Sequence, residues 1–340
     1  MPSQTSILQP QIRLGVADRS EVGAARRAAQ ELSEAIGLGA TQVGTVGLCI
    51  TEAASNIVKH AGRGQILLRP LSLEEVVGLE ILALDRGPGI ANVQASLQDG
   101  VSTAGSPGTG LGALARASDS FEIYAPAQRG TVLRLEIWSK PPPPSHLEIG
   151  AVCLPKAGET VCGDAWTVQG TPGRYTALVA DGLGHGMEAA RAATAAIGVP
   201  SRRPEDDPAQ LIELCHRVLA PTRGAAVAVA RLSGGGEKGS FAGVGNIAAR
   251  VEMPDTRRQL VSHNGTLGHT MRRVQQFDFN FAPGGLLILH SDGLATHWNL
   301  GEYPGLANRH PATIAGVLYR DHERGRDDVT VLVLRIRAIG

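Results

Sequence analysis

Four consecutive prolines occupy positions 141–144 and interrupt the chain before its midpoint. Proline fixes φ and has no backbone N–H, so such a run can neither continue a helix nor pair inside a sheet, and it favours a stiff extended spacer. The chain has 340 residues, which is enough for two domains of ordinary size. We therefore predict an N-terminal domain over 1–139, a linker over 140–146 and a C-terminal domain over 147–340.

The composition excludes several classes of protein. Apolar residues make up 43% of the chain and charged residues 19%, which indicates packed cores and not a disordered chain. Lys+Arg and Asp+Glu balance at 32 each and aromatic residues are 4%, so nothing indicates a nucleic-acid partner. No apolar run approaches the ~18 residues of a membrane span. The N-terminus lacks the pattern of a secretory signal, and the four cysteines form no C-x-x-C pair. We expect a cytoplasmic protein with reduced thiols and no membrane or nucleic-acid partner.

The pattern of apolar residues in the N-terminal half predicts helices separated by short strands. The predicted helices are 20–36 (with Ser20 as a cap), 41–60 and 111–118, and the predicted strands are 65–69, 76–84, 121–125 and 131–137. We expect an α/β sandwich with its helices on one side of a mixed sheet.

The C-terminal half is richer in strands. The predicted strands are 148–154, 162–168, 175–180, 225–231, 240–244, 247–252, 286–290 and 329–336, with a glycine-rich hairpin turn at 233–236 and helices at 186–197, 209–219 and 311–320. Many successive strands with few helices predict two packed sheets flanked by helices. The whole chain is then an α/β (α+β) protein.

One face of the predicted helix 41–60 is polar. Its spacing places Glu52, Asn56 and Lys59 together, away from an apolar stripe. A carboxylate and an amide one helical turn apart suit a hydrated Mg²⁺, which takes few protein ligands. A solvated polar helix face accounts for the same pattern, so this feature alone leaves both interpretations open.

Two glycine-rich segments follow this helix. The first, Asp85-Arg-Gly-Pro-Gly-Ile90, ends the predicted strand 76–84, and a carboxylate there can accept a hydrogen bond from an adenine amino group. The second, Gly108-Thr-Gly-Leu-Gly112, begins a predicted helix, where backbone N–H groups and the helix dipole favour phosphate. Each glycine segment alone is also typical of a turn, but the three polar and glycine-rich features in this order indicate a nucleotide site.

Together these features resemble the N-box, D-x-G-x-G-I box and G-x-G-x-G box of the GHKL ATPase/kinase superfamily. Within it, the segment 99–105 favours the anti-sigma-factor kinase branch, as found among stressosome kinases. The resemblance implies a GHKL-type α/β sandwich that binds ATP with Mg²⁺, a nucleotide lid over 92–107, and a Ser/Thr target on a STAS-domain protein. It implies that Glu52 is the general base, that Asn56 ligates Mg²⁺ and that Asp85 contacts adenine. The residues expected to bind ATP are Asn56, Lys59, Asp85, Gly87, Gly89, Gly108, Thr109, Gly110, Leu111 and Gly112.

Four aspartates in the C-terminal half lie beside glycine or a second acid, and each is preceded or followed by an apolar strand. They stand in Gly163-Asp164, Asp181-Gly182, Ser291-Asp292-Gly293 and Asp327-Asp328. A lone Asp-Gly pair is typical of a turn, but four such pairs at strand ends indicate a shared site. Oxygen ligands without a Cys or His cluster favour Mg²⁺ or Mn²⁺, and two such ions ~4 Å apart can hold a phosphate and activate water.

The order GD…DGxGHG…SDG…DDVT resembles the metal-dependent PPM protein phosphatases, in their SpoIIE-type branch. The resemblance implies an αββα sandwich that hydrolyses phosphoserine or phosphothreonine directly, with two Mn²⁺ or Mg²⁺ ions. It implies that Asp181 bridges both ions and that Gly182 contributes its carbonyl. The remaining expected ligands are Asp164, Asp292 and Asp328. For His185, two roles stay open: general acid and helix cap.

Two functions are compatible with these motifs. In the first, the protein is a bifunctional kinase and phosphatase that acts on a STAS-domain protein of the anti-anti-sigma or stressosome type. In the second, it is a phosphatase whose ATP-binding half is a non-catalytic regulatory or partner-binding module. ATP binding and phosphoryl transfer use the same boxes, so the motifs do not separate the two. A further regulatory protein partner is compatible with both.

Overall fold

The structure is a computed structural model that describes residues 11–97, 110–171, 173–233 and 237–337. Within these residues, no helix combines the length and the apolar character that crossing a bilayer requires. The chain divides into two compact units, which are described one after the other.

The N-terminal unit contains a five-stranded sheet and the helices packed on it. Its elements up to the proline run are β1 (Ile12–Val16), α1 (Arg19–Ala35), α2 (Ala40–His60), β2 (Gly64–Leu73), β3 (Val76–Asp85), α3 (Val93–Ser96), α4 (Gly110–Ala117), β4 (Ser120–Tyr124) and β5 (Thr131–Trp138). The strand order is β1-β2-β3-β5-β4, and every neighbouring pair is antiparallel. The prediction of a mixed sheet was therefore wrong. The β4–β5 hairpin inserts β5 beside β3, an arrangement that the apolar pattern of separate strands does not specify.

Helices α1, α2 and α4 cover one face of this sheet. The predicted apolar stripe of α2 is confirmed, since Val46, Ile50, Ala53 and Ile57 are at most 3% exposed. They share a core with alternate residues of β2, β3 and β5, among them Ile66, Leu68, Leu79, Ile81, Leu133 and Leu135. Helix α1 is capped by Asp18 and not by Ser20, because the Asp18 carboxylate accepts hydrogen bonds from the first-turn N–H groups of Ser20 and Glu21.

The other face of the sheet belongs to the same unit but is covered by residues much later in the sequence. The unit consists of Gln11–Pro143 together with Leu300–Arg320. The later segment includes most of a further helix, Pro311–His322, whose Gly316 lies against Leu84 and Val132. We expected helices on one side of the sheet only and one continuous domain over 147–340. The structure differs from both expectations, because Leu300–Arg320 belongs to the N-terminal unit and covers the second face of its sheet. The physical reason is that strand β3 carries buried apolar residues on both of its faces, so a second cover is required.

The C-terminal unit consists of Pro144–Asn299 and the described residues from Asp321 onward. Its elements are β6 (Leu147–Leu154), β7 (Asp164–Thr171), β8 (Arg174–Gly182), α5 (Met187–Ile197), α6 (Val199–Arg202), α7 (Pro208–Leu219), β9 (Ala225–Ser233), β10 (Lys238–Val244), β11 (Ala248–Glu252), β12 (Arg257–Leu260), β13 (Phe277–Asn280), β14 (Leu286–His290) and β15 (Val329–Ile336), with the end of α8 (Pro311–His322) between β14 and β15. The strands form two antiparallel sheets, ordered β13-β10-β9-β8-β7 and β12-β11-β14-β15-β6.

The two sheets pack face to face, which confirms the predicted pair of packed sheets. Their shared core includes Trp166, Ala177, Phe241, Leu289 and Leu334. Helices α5 and α7 cover the outer face of the sheet that contains β8, through a second core that includes Ala193 and Leu211. Strands β9 and β10 are antiparallel partners, as the predicted hairpin requires, although turn residues 234–236 lie outside the described residues. Strands β12 and β13 were not predicted.

The packing of Gly316 generates a stability prediction for the N-terminal unit. A Cβ atom at this position would lie 3.3 Å from methyl groups of Leu84 and Val132, so Gly316→Leu overpacks the interface between α8 and the sheet. We expect a loss of about 1–3 kcal/mol in the free energy of unfolding. The measurement is native-state hydrogen exchange of the amides of β3 and β5 in the full chain.

The matched control places the same substitution on an open helix surface. Gly44 lies in α2 and is exposed, and a Cβ atom added there would meet nothing within 4 Å. Gly44→Leu is expected to leave the exchange unchanged or to stabilise the unit by about 0.5–1 kcal/mol, because a helical glycine is replaced by a good helix former. Equal protection in both variants would contradict the packing of α8 on this sheet.

Candidate functional sites in the two units

Two aspartates of the C-terminal unit face each other across a pair of strands. Asp164 begins β7 and Asp181 lies near the end of β8, and the two are direct partners in the antiparallel register. Residues directly opposite on one face of such a pair have their Cβ atoms within about 5.5 Å. At the same end, the N–H of Gly182 donates a hydrogen bond to the carbonyl of Gly163 at 3.1 Å. This strand end therefore places both predicted ligands together.

The neighbouring sheet contributes the other two aspartates. Asp292 follows β14 and accepts a hydrogen bond from the Asn246 side-chain amide at 2.7 Å. Asp328 immediately precedes β15, and its Oδ1 accepts from the backbone N–H of Lys156 at 2.9 Å. Asp327 is exposed and accepts from the N–H of Asp328.

Within the described residues, burial and neighbouring carboxylates disfavour the charged forms of three aspartates of the cluster. Burial raises the pKa of Asp181, and the carboxylates of Asp164, Asp292, Asp327 and Asp328 raise it further. The pKa of Asp164 is also raised, first by burial and then by its acidic neighbours, against hydrogen bonds that favour the charged form. The pKa of Asp328 is raised for the same first reason. A cation among these groups would remove the repulsion.

The residues present fit divalent metal ions. One oxygen of Asp328, Oδ2, is buried and has no hydrogen-bond partner among the described residues. Gly182 packs so tightly that a Cβ atom would lie 2.1 Å from the carbonyl oxygen of Ala189, so no side chain fits at this position. As the side chains stand, no three Asp, Glu, His or Cys groups in the described part of the chain enclose a single ion. Mg²⁺ and Mn²⁺ sites commonly combine one or two carboxylates with water and backbone carbonyls, which suits this arrangement.

Several residues that support the aspartates were not singled out from the sequence. The Ser291 hydroxyl donates to Asp164 Oδ2 at 2.6 Å and accepts from the N–H of Thr330 at 2.9 Å. Ser291 and Thr330 belong to the same short motifs as Asp292 and Asp328, so a search for polar neighbours of each aspartate would have found them.

The structure also places His185, whose role the sequence left open. His185 pairs with Glu159 at 2.7 Å, and α5 begins after Gly186 without a side-chain cap. The helix-cap interpretation of His185 was wrong.

In the N-terminal unit, the polar face of α2 meets the start of α4. Glu52 and Asn56 are half-buried, and Lys59, the next polar residue on this face, is exposed. A Cβ atom at Gly110, the first residue of α4, would lie 3.3 Å from Glu52 Oε2 and 3.8 Å from the Asn56 amide. The structure therefore brings the beginning of the glycine-rich helix onto the carboxylate and the amide of α2. The N–H groups of that first turn are a suitable site for phosphate.

Asp85 is held in a fixed orientation at the end of β3. Its Oδ1 accepts hydrogen bonds from the backbone N–H groups of Gly87 at 2.8 Å and Thr131 at 3.2 Å. The loop that follows lies against the β4–β5 hairpin. Gly89 has φ +71°, and a Cβ there would lie 2.2 Å from the carbonyl oxygen of Pro126, so only glycine fits. Gly87 therefore orients the Asp85 carboxylate through its N–H, and Gly89 allows the loop to pack closely against Pro126.

Part of the predicted nucleotide site lies outside the described residues. This applies to Gly108 and Thr109 and to residues 98–107 of the predicted lid. In the second glycine-rich segment, the Leu111 side chain packs against the core between the helices and the sheet, and Gly112 is buried. Their backbone N–H groups, and not their side chains, are what this turn offers to a ligand.

Two protein families match the two halves of the chain. The model of the histidine kinase-like ATPase domain matches residues 16–137, and the model of stage II sporulation protein E (SpoIIE) matches residues 171–337. The serine/threonine-protein kinase RsbT of Bacillus subtilis (strain 168) is 33% identical over 118 residues, which cover 35% of this chain and 89% of that protein. The phosphoserine phosphatase RsbX of the same organism is 23% identical over 150 residues, covering 44% of this chain and 75% of that protein.

A solved structure gives a further similarity. A chain from a study of the bacterial stressosome, described there as a modular system adapted to control secondary messenger signalling, is 31% identical with a TM-score of 0.52. The match covers 56% of this chain and 99% of that one. The resemblances seen in the sequence are confirmed by these matches. The chain belongs to the family of the kinase RsbT through its histidine kinase-like ATPase half, and it carries a SpoIIE-type domain of the PPM phosphatase class in its C-terminal half.

Proposed function

We propose that the C-terminal unit is a Mn²⁺- or Mg²⁺-dependent phosphatase that acts on phosphoserine or phosphothreonine in proteins. The observation that carries this proposal is the cluster of Asp164, Asp181, Asp292 and Asp328, in which burial and then the neighbouring carboxylates raise the pKa of Asp181. Such a cluster is stable with its carboxylates ionised only when cations compensate them. The similarity to a phosphoserine phosphatase supports the assignment.

The residues of the cluster have separate roles in this proposal. Asp181 would hold both ions, the Gly182 carbonyl would complete one shell, and Asp164, Asp292 and Asp328 would supply the other ligands. Bound ions would neutralise the phosphoryl oxygens and lower the pKa of an attacking water. Ser291 and Asn246 fix the carboxylates of Asp164 and Asp292 in place. In the hydrolysis, a bond forms between the water oxygen and phosphorus, the bond from phosphorus to the serine or threonine oxygen breaks, and that oxygen takes up a proton.

We propose further that the N-terminal unit is an ATP-dependent protein kinase. Asn56 would hold Mg²⁺, the first turn of α4 would face the phosphates, and Asp85 would accept a hydrogen bond from the adenine amino group through Oδ2. Glu52 would accept the proton of the substrate hydroxyl as its oxygen attacks the γ-phosphorus of ATP, while the bond from that phosphorus to the β–γ bridging oxygen breaks and ADP leaves. The proximity of Gly110 to both Glu52 and Asn56 supports this division of roles.

A non-catalytic regulatory role for the ATP site is the second candidate, and one contact favours it. Arg320 lies in the sequence region that matches the SpoIIE family, yet its guanidinium donates a hydrogen bond to the backbone carbonyl of Asp85 at 3.3 Å. Arg86 in turn donates to the carbonyl of Arg320. A change at the adenine-contacting residue would therefore act directly on the helix α8.

The substrate that fits both activities is a STAS-domain protein of the anti-anti-sigma or stressosome type, located in the cytoplasm. The similarity to RsbT and to a chain of the bacterial stressosome supports this choice. One protein would then receive a phosphate at one site and lose it at the other.

Asp181→Asn tests the phosphatase. Removing this charge weakens both ions at once, so we expect the rate of phosphate release from a phosphoserine protein to fall more than about 100-fold at saturating Mn²⁺. The increase in melting temperature caused by Mn²⁺ should disappear as well. Asp255→Asn, an exposed aspartate of the same unit, is the control and should retain both. Near-normal hydrolysis in Asp181→Asn would rule out the metal assignment.

Asn56→Ala tests the nucleotide site. We expect the Mg²⁺-dependent part of the ATP affinity to fall at least about tenfold, because the amide proposed as a metal ligand is lost. Calorimetric titration with ATP, with and without Mg²⁺, measures this. Thr45→Ala is the control, since Thr45 lies on the same face of α2 about three turns earlier. An unchanged Mg²⁺ dependence would identify the polar face as merely solvated.

Glu52→Gln distinguishes a kinase from a regulatory module. In the Asp181→Asn background, labelled phosphate from γ-labelled ATP should accumulate on a STAS-domain protein, and it should not do so when Glu52 is also replaced. ATP binding, followed by calorimetry, should remain in both chains, because glutamine preserves the shape of the side chain. Binding without any transfer in the Asp181→Asn chain would favour the regulatory module.

A further inference from the structure

Two of the four cysteines lie in contact with each other in the C-terminal unit. Cys153 stands near the end of β6, Cys162 lies just before β7, and their Sγ atoms are 3.8 Å apart. Both residues are half-buried. The other two cysteines, Cys49 and Cys215, are fully buried in separate apolar cores.

The sulfur pair lies beside residues that hold the aspartate cluster in place. Cys153 Sγ accepts a hydrogen bond from the Thr330 hydroxyl at 3.2 Å and lies 3.7 Å from the backbone carbonyl of Asp164. Thr330 is two residues beyond Asp328, and Cys162 is two residues before Asp164. The Cys153 sulfur thus contacts two of the strands that bring a proposed metal ligand to the site, β7 and β15.

The geometry allows a bond between the two sulfurs. A disulfide has an S–S distance of about 2.05 Å, so the two atoms have to approach by roughly 1.7 Å. Forming the bond therefore requires rotations of the two cysteine side chains and a small shift of the connecting segment 155–161. That segment includes Lys156, whose N–H holds Asp328.

We propose that Cys153 and Cys162 form a reversible disulfide that lowers the metal affinity of the aspartate cluster. In a reducing compartment, the resting state is the dithiol, and paired thiols of cytoplasmic proteins typically serve as sensors when they do oxidise. The oxidant is a peroxide. One thiol loses its proton, and the thiolate attacks a peroxide oxygen, breaks the O–O bond and becomes a sulfenic acid; the hydroxide released takes up that proton and becomes water. The second thiol attacks the sulfenic sulfur, and its proton leaves with the sulfenic hydroxyl as a second water. The thiols lose two electrons in total, and hydrogen peroxide gains them.

The consequence for the site follows from the contacts of Cys153. Drawing its sulfur toward Cys162 removes the acceptor from the Thr330 hydroxyl and shifts the contact with the carbonyl of Asp164. Both changes move supports of the metal ligands, for which losses of about 10-fold or more in metal affinity are typical. The effect on phosphate release rests on the proposed phosphatase function, whereas the disulfide and the metal affinity do not.

The experiment treats the full chain with hydrogen peroxide and then with dithiothreitol. We expect peptide mass spectrometry to find a Cys153–Cys162 linkage that dithiothreitol reverses. We also expect the Mn²⁺ concentration needed for half-maximal thermal stabilisation to rise about tenfold in the oxidised chain. Cys153→Ser and Cys162→Ser, each first checked for unchanged melting temperature without peroxide, should show neither effect. Cys153→Ala and Cys162→Ala replace either variant that misfolds, and Cys215→Ser is the control that should respond like the natural chain.

The outcomes separate the two proposals. Failure to detect the linkage at peroxide concentrations that oxidise exposed thiols would overturn the inference, as would a linkage that leaves Mn²⁺ binding unchanged. A chain that forms the linkage and loses Mn²⁺ affinity, yet hydrolyses no phosphoprotein even when reduced, would support the dithiol and contradict the phosphatase.

Discussion

Asp164 and Asp181 face each other across an antiparallel strand pair, and two carboxylates in that position repel unless protons or cations lie between them. The C-terminal unit is arranged around this constraint. The register of β7 against β8 decides that both residues reach the same edge, since a slip by one residue would send one of them to the opposite face. The facing sheet then adds Asp292 and Asp328 from strands that are distant in sequence. A fold that concentrates negative charge in this way is stabilised by what it binds.

In each of the two units, backbone N–H groups orient one carboxylate of the proposed site. Asp85 and Asp328 each stand at the end of an apolar strand, and each has one oxygen fixed by backbone N–H donors. Backbone donors are positioned by the fold itself, so the carboxylate needs no side-chain partner to keep its orientation. One oxygen then serves the protein and the other is available to a ligand.

The sequence predicted best where one helix or one strand contains the whole signal. The apolar stripe of α2 and the aspartates at strand ends belong to this class, because periodicity and turn residues report them locally. Strand direction was not predictable, since the insertion of β5 beside β3 depends on the hairpin that β4 and β5 form. Strand β12, with the sequence Arg-Arg-Gln-Leu, has no apolar alternation and exists through its pairing with β11. The contact between Cys153 and Cys162 was invisible for the same reason, because the turn between them brings together positions whose spacing matches no cysteine motif.

The inclusion of Leu300–Arg320 in the N-terminal unit has a consequence for how the chain is made. The ribosome delivers residues 11–143 first, but the helix that covers the second face of their sheet emerges only after residues 144–320 have been added. At the usual ~5–20 residues per second, that interval lasts roughly 9 to 35 s. During it the apolar side chains of β3 and β5 on that face, such as Leu84 and Val132, lack the cover that the finished protein provides. The N-terminal unit is therefore complete only after most of the C-terminal half has been made, and a gene divided at the proline run would separate a sheet from the helix that covers its second face.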